Sequence, residues 1–157
     1  MYKEIKELLV FLSSESLSIY IETNGTLLDS EMITLLEQAA VTQISVSLDG
    51  ATEKIHDAIR GVRGSFRQTL KGLRLLSETG LNYQIIMTLQ RQNSSEIPGI
   101  IDLCELLDAG SLKINHLLPC GKGAESYRRG ENLSLEELGG TLQAGNGNIE
   151  KKPRHGG

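Results

Sequence analysis

Apolar positions along this chain repeat in two rhythms that take turns. Ile5, Leu8, Leu9 and Leu12 recur at helical spacing, which predicts an amphipathic helix over residues 2–14. Ser30 can cap a second helix running to about Ala40, with Ile33 and Leu36 inward. Thr52 can cap a third that ends near Gly61. Ser65-Phe66-Arg67-Gln68 has the form of a capping box. The helix behind it carries Phe66, Leu70, Leu73 and Leu76 and is expected to stop at a left-handed Gly80. Ile97, Ile100, Ile101, Cys104 and Leu107 stripe a fifth helix that ends at Gly110, and Ser134-Leu135-Glu136-Glu137 opens a sixth.

Between the helices the period falls to two. Four strands are predicted, at Leu17–Thr23, Gln43–Asp49, Tyr83–Leu89 and Leu112–Leu118. Ile44, Val46 and Leu48 alternate with Ser45, Ser47 and Asp49, whereas Ile85-Ile86-Met87 is apolar on both faces. A parallel pair of strands needs a crossover, and a helix stands between each pair here. The fold class is therefore α/β with a parallel sheet. The pattern leaves open whether the sheet is doubly wound or part of a barrel. Residues 139–157 are glycine-rich without apolar period and are expected to form a flexible tail behind a domain of residues 1–138.

Composition narrows the function. The chain has 157 residues, 23% charged and 39% apolar, with a net charge of −4. That excludes a strongly basic nucleic-acid surface, and the absence of Trp removes one stacking residue. No apolar run is long enough to span a bilayer and no leader peptide is apparent, so a cytoplasmic protein with two free thiols, Cys104 and Cys120, is expected.

In parallel α/β folds, ligands bind at the carboxyl ends of the strands. Those ends read Glu22-Thr23-Asn24-Gly25, Ser47-Leu48-Asp49-Gly50, Thr88-Leu89-Gln90-Arg91 and Leu118-Pro119-Cys120-Gly121. Hydroxyls, an amide and a carboxylate beside glycines suit a polar small molecule with ribose hydroxyls. Ordinary turn chemistry explains the same residues.

Those strand ends also carry a resemblance. Thr23-Asn24-Gly25-Thr26-Leu27-Leu28 and Ser45-Val46-Ser47-Leu48-Asp49-Gly50-Ala51 resemble the third and fourth strand ends of radical S-adenosylmethionine (SAM) enzymes. His56-Asp57-Ala58-Ile59-Arg60-Gly61, Gly64-Ser65-Phe66, Leu70-Lys71-Gly72-Leu73 and Leu118-Pro119-Cys120-Gly121-Lys122-Gly123 continue the pattern in order. The resemblance covers roughly residues 5–138 and is strongest to the subfamily that matures peptides, proteins and cofactors. It implies a parallel partial (β/α) barrel that lacks the first two strand–helix units. It implies SAM and a [4Fe–4S] cluster as cofactors, and a 5′-deoxyadenosyl radical that takes hydrogen from a peptide or cofactor-precursor substrate. It places Thr23 and Ser47 against SAM, with Asn24 and Asp49 shaping the same wall and Gln84 and Leu118 nearby.

The departures from that pattern matter as much. Three thiolates in a CxxxCxxC loop hold the family's cluster, and this chain has two cysteines, far apart. It also lacks the GGEP-type segment that takes the SAM amino group. The chain is therefore expected to be an internal piece of such a barrel, to bind no cluster and not to cleave SAM by itself. The alternative is a non-catalytic α/β module that binds a nucleotide-like ligand or a partner protein.

Single residues complete the expectations. Cys104 belongs to an apolar helix stripe and Cys120 to a strand-end loop. Gly121-Lys122-Gly123 lacks the spacing of a phosphate loop. Arg60 suits a helix C-terminus or an ion pair beside the site. Thr23, Ser47, Gln84 and Leu118 should share one rim if staggered strands offset the two hydroxyls, and the helices should lie on one face. An exposed sheet edge should favour self-association.

Overall fold

The structure, a computed structural model, describes residues 2–15, 17–121, 123–134 and 136–140. The elements follow the two rhythms closely. They are α1 (Tyr2–Ser14), β1 (Tyr20–Thr23), α2 (Ser30–Gln38), β2 (Gln43–Ser47), α3 (Glu53–Arg60), α4 (Ser65–Ser77) and β3 (Tyr83–Leu89). A 3-10 turn (Arg91–Glu96), α5 (Ile97–Leu106), β4 (Ser111–His116) and a short α6 (Gly123–Arg128) follow. The expected tail falls mostly on residues 141–157, which lie outside the described residues.

All four strands pair in parallel in the order β1-β2-β3-β4. Register sorts the side chains onto two faces, because alternate residues point opposite ways. One face carries Ile21, Ile44, Val46, Leu48, Ile85, Met87, Leu89, Leu112 and Ile114. Leu9 of α1, Met32, Ile33, Leu35 and Leu36 of α2, Leu73 and Leu76 of α4, and Ile97 and Ile100 of α5 join those residues in one core. Full burial of each such side chain stabilises by about 2 kcal/mol. The helices that build this core share one face of the sheet, as the barrel reading requires. The other face carries Ser45, Ser47, Asp49, Gln84, Thr88, Ser111 and Asn115.

Local chemistry corrects several expected helix ends. Asp29, one residue before Ser30, caps α2 through its carboxylate on the Met32 amide at 2.9 Å. Ser65 does not build a capping box. Its hydroxyl donates to Asp57, whose carboxylate also takes the Gly64 and Phe66 amides, so α3 caps α4. The helix closes at Ser77, and Thr79 Oγ1 donates to the Leu76 carbonyl at 2.8 Å, with no left-handed turn at Gly80. Asp108, not Gly110, takes the left-handed position after α5. Gly61 behaves as expected, at φ 67°. Ser134 caps the Glu137 amide while the Glu137 carboxylate takes the Ser134 amide, so this capping box forms.

Among the glycines that close packing requires, two seat helices on the strand-end corners. A Cβ on Gly72 would stand 2.5 Å from the Gly25 carbonyl and 2.9 Å from Leu28 Cβ, so α4 sits directly on the β1–α2 corner. A Cβ on Gly50 would stand 2.8 Å from the His56 amide nitrogen, so α3 sits directly on the β2 exit.

Candidate functional site

The polar face is organised in tiers by register. Near the amino ends, Gln84 bridges three strands: its amide donates to Ser45 Oγ at 2.8 Å and accepts from Ser111 Oγ at 3.1 Å. One step further along, Ser47 pairs with Ile86 and Ile86 with Lys113. At the carboxyl rim, Thr88 pairs with Asn115, and Asp49 reaches them from the end of β2. Ser47 is half-buried on this face.

Asp49 is the hub of the rim and is 3% exposed. Its Oδ1 accepts the Thr88 amide at 2.8 Å, and its Oδ2 pairs with Arg60 Nη2 at 2.8 Å. Its own amide donates to His56 Nδ1 at 3.1 Å, and its carbonyl accepts from Asn93 Nδ2 at 2.9 Å. Asn93, wholly buried, also donates to the Thr88 carbonyl and accepts the Gln90 amide at 2.7 Å. The expected ion pair of Arg60 is thus formed. Burial raises the Asp49 carboxyl above its ordinary range, while Arg60 and the Thr88 amide pull it back. His56, also buried, is held down to about 4 by desolvation and then by Arg60, so it stays neutral and its Nδ1 is free to accept.

The other expected residues divide. Thr23 pairs with Val46, not with Ser47, so no stagger brings the two hydroxyls together. Thr23 faces the helices and lines an apolar crevice with Ile5, Ile21, Leu28 and Met32. Its Oγ1 accepts the Gly25 amide at 3.1 Å. Asn24 Oδ1 accepts from the Thr26 amide and hydroxyl, while the Asn24 carbonyl accepts from Thr69 at 2.8 Å. Gln84 lies at the amino end of β3, one layer from the strand's start, and so does not reach the rim. Leu118 does: it is exposed beyond β4 and lines an open groove with Thr88, Asn115, His116 and Cys120. The expected common rim therefore does not form: Leu118 lies beyond the carboxyl end of β4, Ser47 one tier short of Thr88 and Asn115, Gln84 near the amino ends, and Thr23 on the helix face.

Sequence reasoning missed Asn93 and the rim roles of Thr88 and Asn115. The signal for Asn93 was Gln90-Arg91-Gln92-Asn93, a capping box in which an asparagine replaces the usual acid. Arg91 was also missed. Its guanidinium pairs with Glu137 and donates to the Gly130 and Asn132 carbonyls, while its amide donates to the Glu131 carbonyl. It staples the chain beyond β4 to the end of β3.

The thiols do not suit an iron–sulfur cluster. Cys104 packs against the core, where burial pushes its thiol up to about 11, and Cys120 is exposed on the loop after β4. Among the described residues no three His, Cys, Asp or Glu side chains gather to hold a metal ion. No helix among them is long and apolar enough to cross a membrane.

Comparison with known proteins shows the family and the fold. The family model of the radical SAM superfamily matches residues 1–104. An Fe-coproporphyrin III synthase from Methanosarcina barkeri is 36% identical over 137 residues, which is 87% of this chain and 34% of that protein. A mycofactocin maturase from Mycobacterium tuberculosis is 30% identical over 122 residues, 77% of this chain and 31% of the maturase. The chain spans about a third of the length of the curated relatives it matches. A domain of a pyruvate-formate lyase-activating enzyme from Bacteroides vulgatus superposes with a TM-score of 0.69 at 15% identity, covering 92% of this chain and 85% of that one.

Proposed function

The chain belongs to the radical SAM superfamily, and on that premise we propose that its β2–β4 rim is the SAM-facing wall of an enzyme that matures a peptide, protein or cofactor. The observation that carries this reading is the polar face itself: Thr88 pairs with Asn115 at the rim, the buried Asp49 accepts the Thr88 amide, and Ser47 stands one tier nearer the amino ends, level with Ile86. SAM bound there would supply the adenosyl group of the family's radical chemistry, with the electron that cleaves it coming from a cluster held outside this set of residues. The chain's own part is to bind and orient. Ser47 would offer a hydroxyl to the ribose, and Leu118 would give the adenosyl group an apolar neighbour. Asn24 and Asp49 shape the wall from behind, while Thr23 acts on it only through the Gly25 amide it holds and Gln84 only through the Ser45 and Ser111 hydroxyls. A cluster would take its thiolates from outside this set of residues, because Cys104 is a core thiol and Cys120 stands alone. A cytoplasmic setting and a peptide or cofactor-precursor substrate accord with the same reading.

Calorimetric titration with SAM tests it. Weak binding is expected, falling by about two- to tenfold in Ser47→Ala, the effect of one lost hydrogen bond. Tight binding that Ser47→Ala leaves unchanged would place the ligand elsewhere.

The shortage of thiols favours one second reading, a non-catalytic module that binds a nucleotide-like ligand. Anaerobic treatment with iron and sulfide separates the two chemistries. Stoichiometric iron with a [4Fe–4S] spectrum that depends on Cys120 would show that this chain can ligate a cluster.

A further inference from the structure

The ladder between β2 and β3 runs out where the ligand wall begins. Its bond near the rim is from the Leu48 amide to the Ile86 carbonyl, at 2.9 Å. Beyond it, side chains take over. The Asp49 carboxylate accepts the Thr88 amide, and Asn93 Nδ2 spans the Asp49 and Thr88 carbonyls at 2.9 and 3.0 Å. The separation of the two strand ends is thus set by one carboxylate and one amide, in place of a regular backbone ladder. Asp49 lies two residues from Ser47 on the same face, so whatever fixes Asp49 also fixes the backbone on which Ser47 stands.

Arg60 fixes Asp49. Its Nη2 holds Oδ2, but its Nε is buried with no hydrogen-bond partner among the described residues. An orphaned guanidinium donor, in a pair whose carboxylate is buried and whose arginine is partly exposed, is a poor way to gain stability. What the pair provides is direction. It turns the carboxylate so that Oδ1 meets the β3 amide while α3 holds the other oxygen. His56 and Thr52 reinforce the same docking: His56 Nδ1 accepts the Asp49 amide, and the Thr52 amide and hydroxyl both reach Glu96 at 3.0 Å.

We propose that Asp49 and Arg60 are positioning residues, a latch that locks the β2 and β3 ends in register and so presents Ser47 and Thr88 to the ligand. The ligand half of this statement rests on the SAM reading above; the latch itself does not. Arg60→Met removes the pair while keeping the bulk, and Arg60→Lys keeps a single donor for Oδ2.

The test combines amide hydrogen exchange with SAM titration on the whole chain. In Arg60→Met, protection of the Asp49 and Thr88 amides should fall about tenfold or more while Ile44, Val46 and Ile85 keep theirs, the pattern of a local opening. SAM affinity should fall about fivefold or more, and Arg60→Lys should restore both to within about twofold. Rim protection unchanged in Arg60→Met would overturn the latch. So would an equal loss across the whole core, or the same loss in the lysine variant. If the native chain binds no SAM while the exchange pattern is as stated, the latch stands and the SAM reading falls. If SAM binds and Arg60→Met leaves its affinity unchanged, the latch does not serve the ligand.

Discussion

The corners after β1 and β2 are written almost alike, Thr23-Asn24-Gly25 and Leu48-Asp49-Gly50, yet they do opposite work. The first is a local turn. Asn24 satisfies its side chain two residues away on Thr26, Thr23 does the same on Gly25, and Asn24 is exposed. The second is a tertiary junction. Asp49 is buried, and four groups from β3, the 3-10 turn and α3 converge on it. The difference comes from what arrives overhead. At the β1 corner α4 reaches the backbone through Thr69 and Gly72. At the β2 corner α3 brings Arg60 and His56, and the 3-10 turn brings Asn93. A polar residue before glycine at a strand end is therefore a turn or a hub according to the helix that follows it.

Substitution should break this contrast most sharply at Asp49. Asp49→Ala leaves Arg60 and the Thr88 amide unpaired and should destabilise by about 3 kcal/mol, read from the urea midpoint. A loss below about 1 kcal/mol would mean that the hub is no more than a turn.

Acid tests the same corner through His56. Its folded value, about 4, lies below its ordinary 6.5, so the unfolded chain binds the extra proton. The contribution is complete above pH 6.5 and is lost as pH falls toward 4, with a total of roughly 3 kcal/mol. Asp49, raised from 3.8 by burial, acts with the opposite sign and offsets part of that loss. His56→Gln should flatten the pH slope. An unchanged slope in that variant would assign the acid loss to other groups.

Packing at the β1 corner should give the next largest effect. Gly72→Ala drives a methyl into the Gly25 carbonyl and Leu28 and should cost about 2 kcal/mol in thermal or urea unfolding. A neutral result would show that α4 can lift off the corner freely.

Asn24→Ala should matter least. Only exposed, local hydrogen bonds to Thr26 are lost, and about 0.5 kcal/mol is expected from the same urea measurement. A loss equal to that of Asp49→Ala would erase the distinction between the two corners.

The edge of the sheet sharpens the comparison in another way. β1 pairs on one side only within the described sheet, and Tyr20 and Leu17 are exposed there, as are Leu8 and Phe11 of α1. Self-association through this edge is expected from light scattering, and Tyr20→Lys should reduce it. A monomer at all concentrations would contradict that expectation.

Much of this was legible in the chain. Helix and strand positions follow from apolar period because each element has one face to bury, and the family's strand-end motifs stand in order. Register was not legible. Whether Thr23 meets Val46 or Ser47 is a shift of one residue that no periodicity encodes, and it decides which face carries the hydroxyl. Long-range caps were hidden for a similar reason. Nothing in the local pattern marks Asp57 as a cap, and only the folded α3–α4 corner brings it to the Gly64 and Phe66 amides. The family resemblance placed Gln84 near the wall, but Ser45 and Ser111 engage both ends of its amide.

The central claim is that the built wall lies on the polar face at the β2–β4 rim. Titration of the isotopically labelled chain with SAM, followed by amide chemical shifts, tests it directly. The account predicts shifts clustered at Ser47, Gly50, Thr88, Asn115 and Leu118. Shifts confined to Thr23, Leu28 and Met32, around the crevice on the helix side, would contradict it.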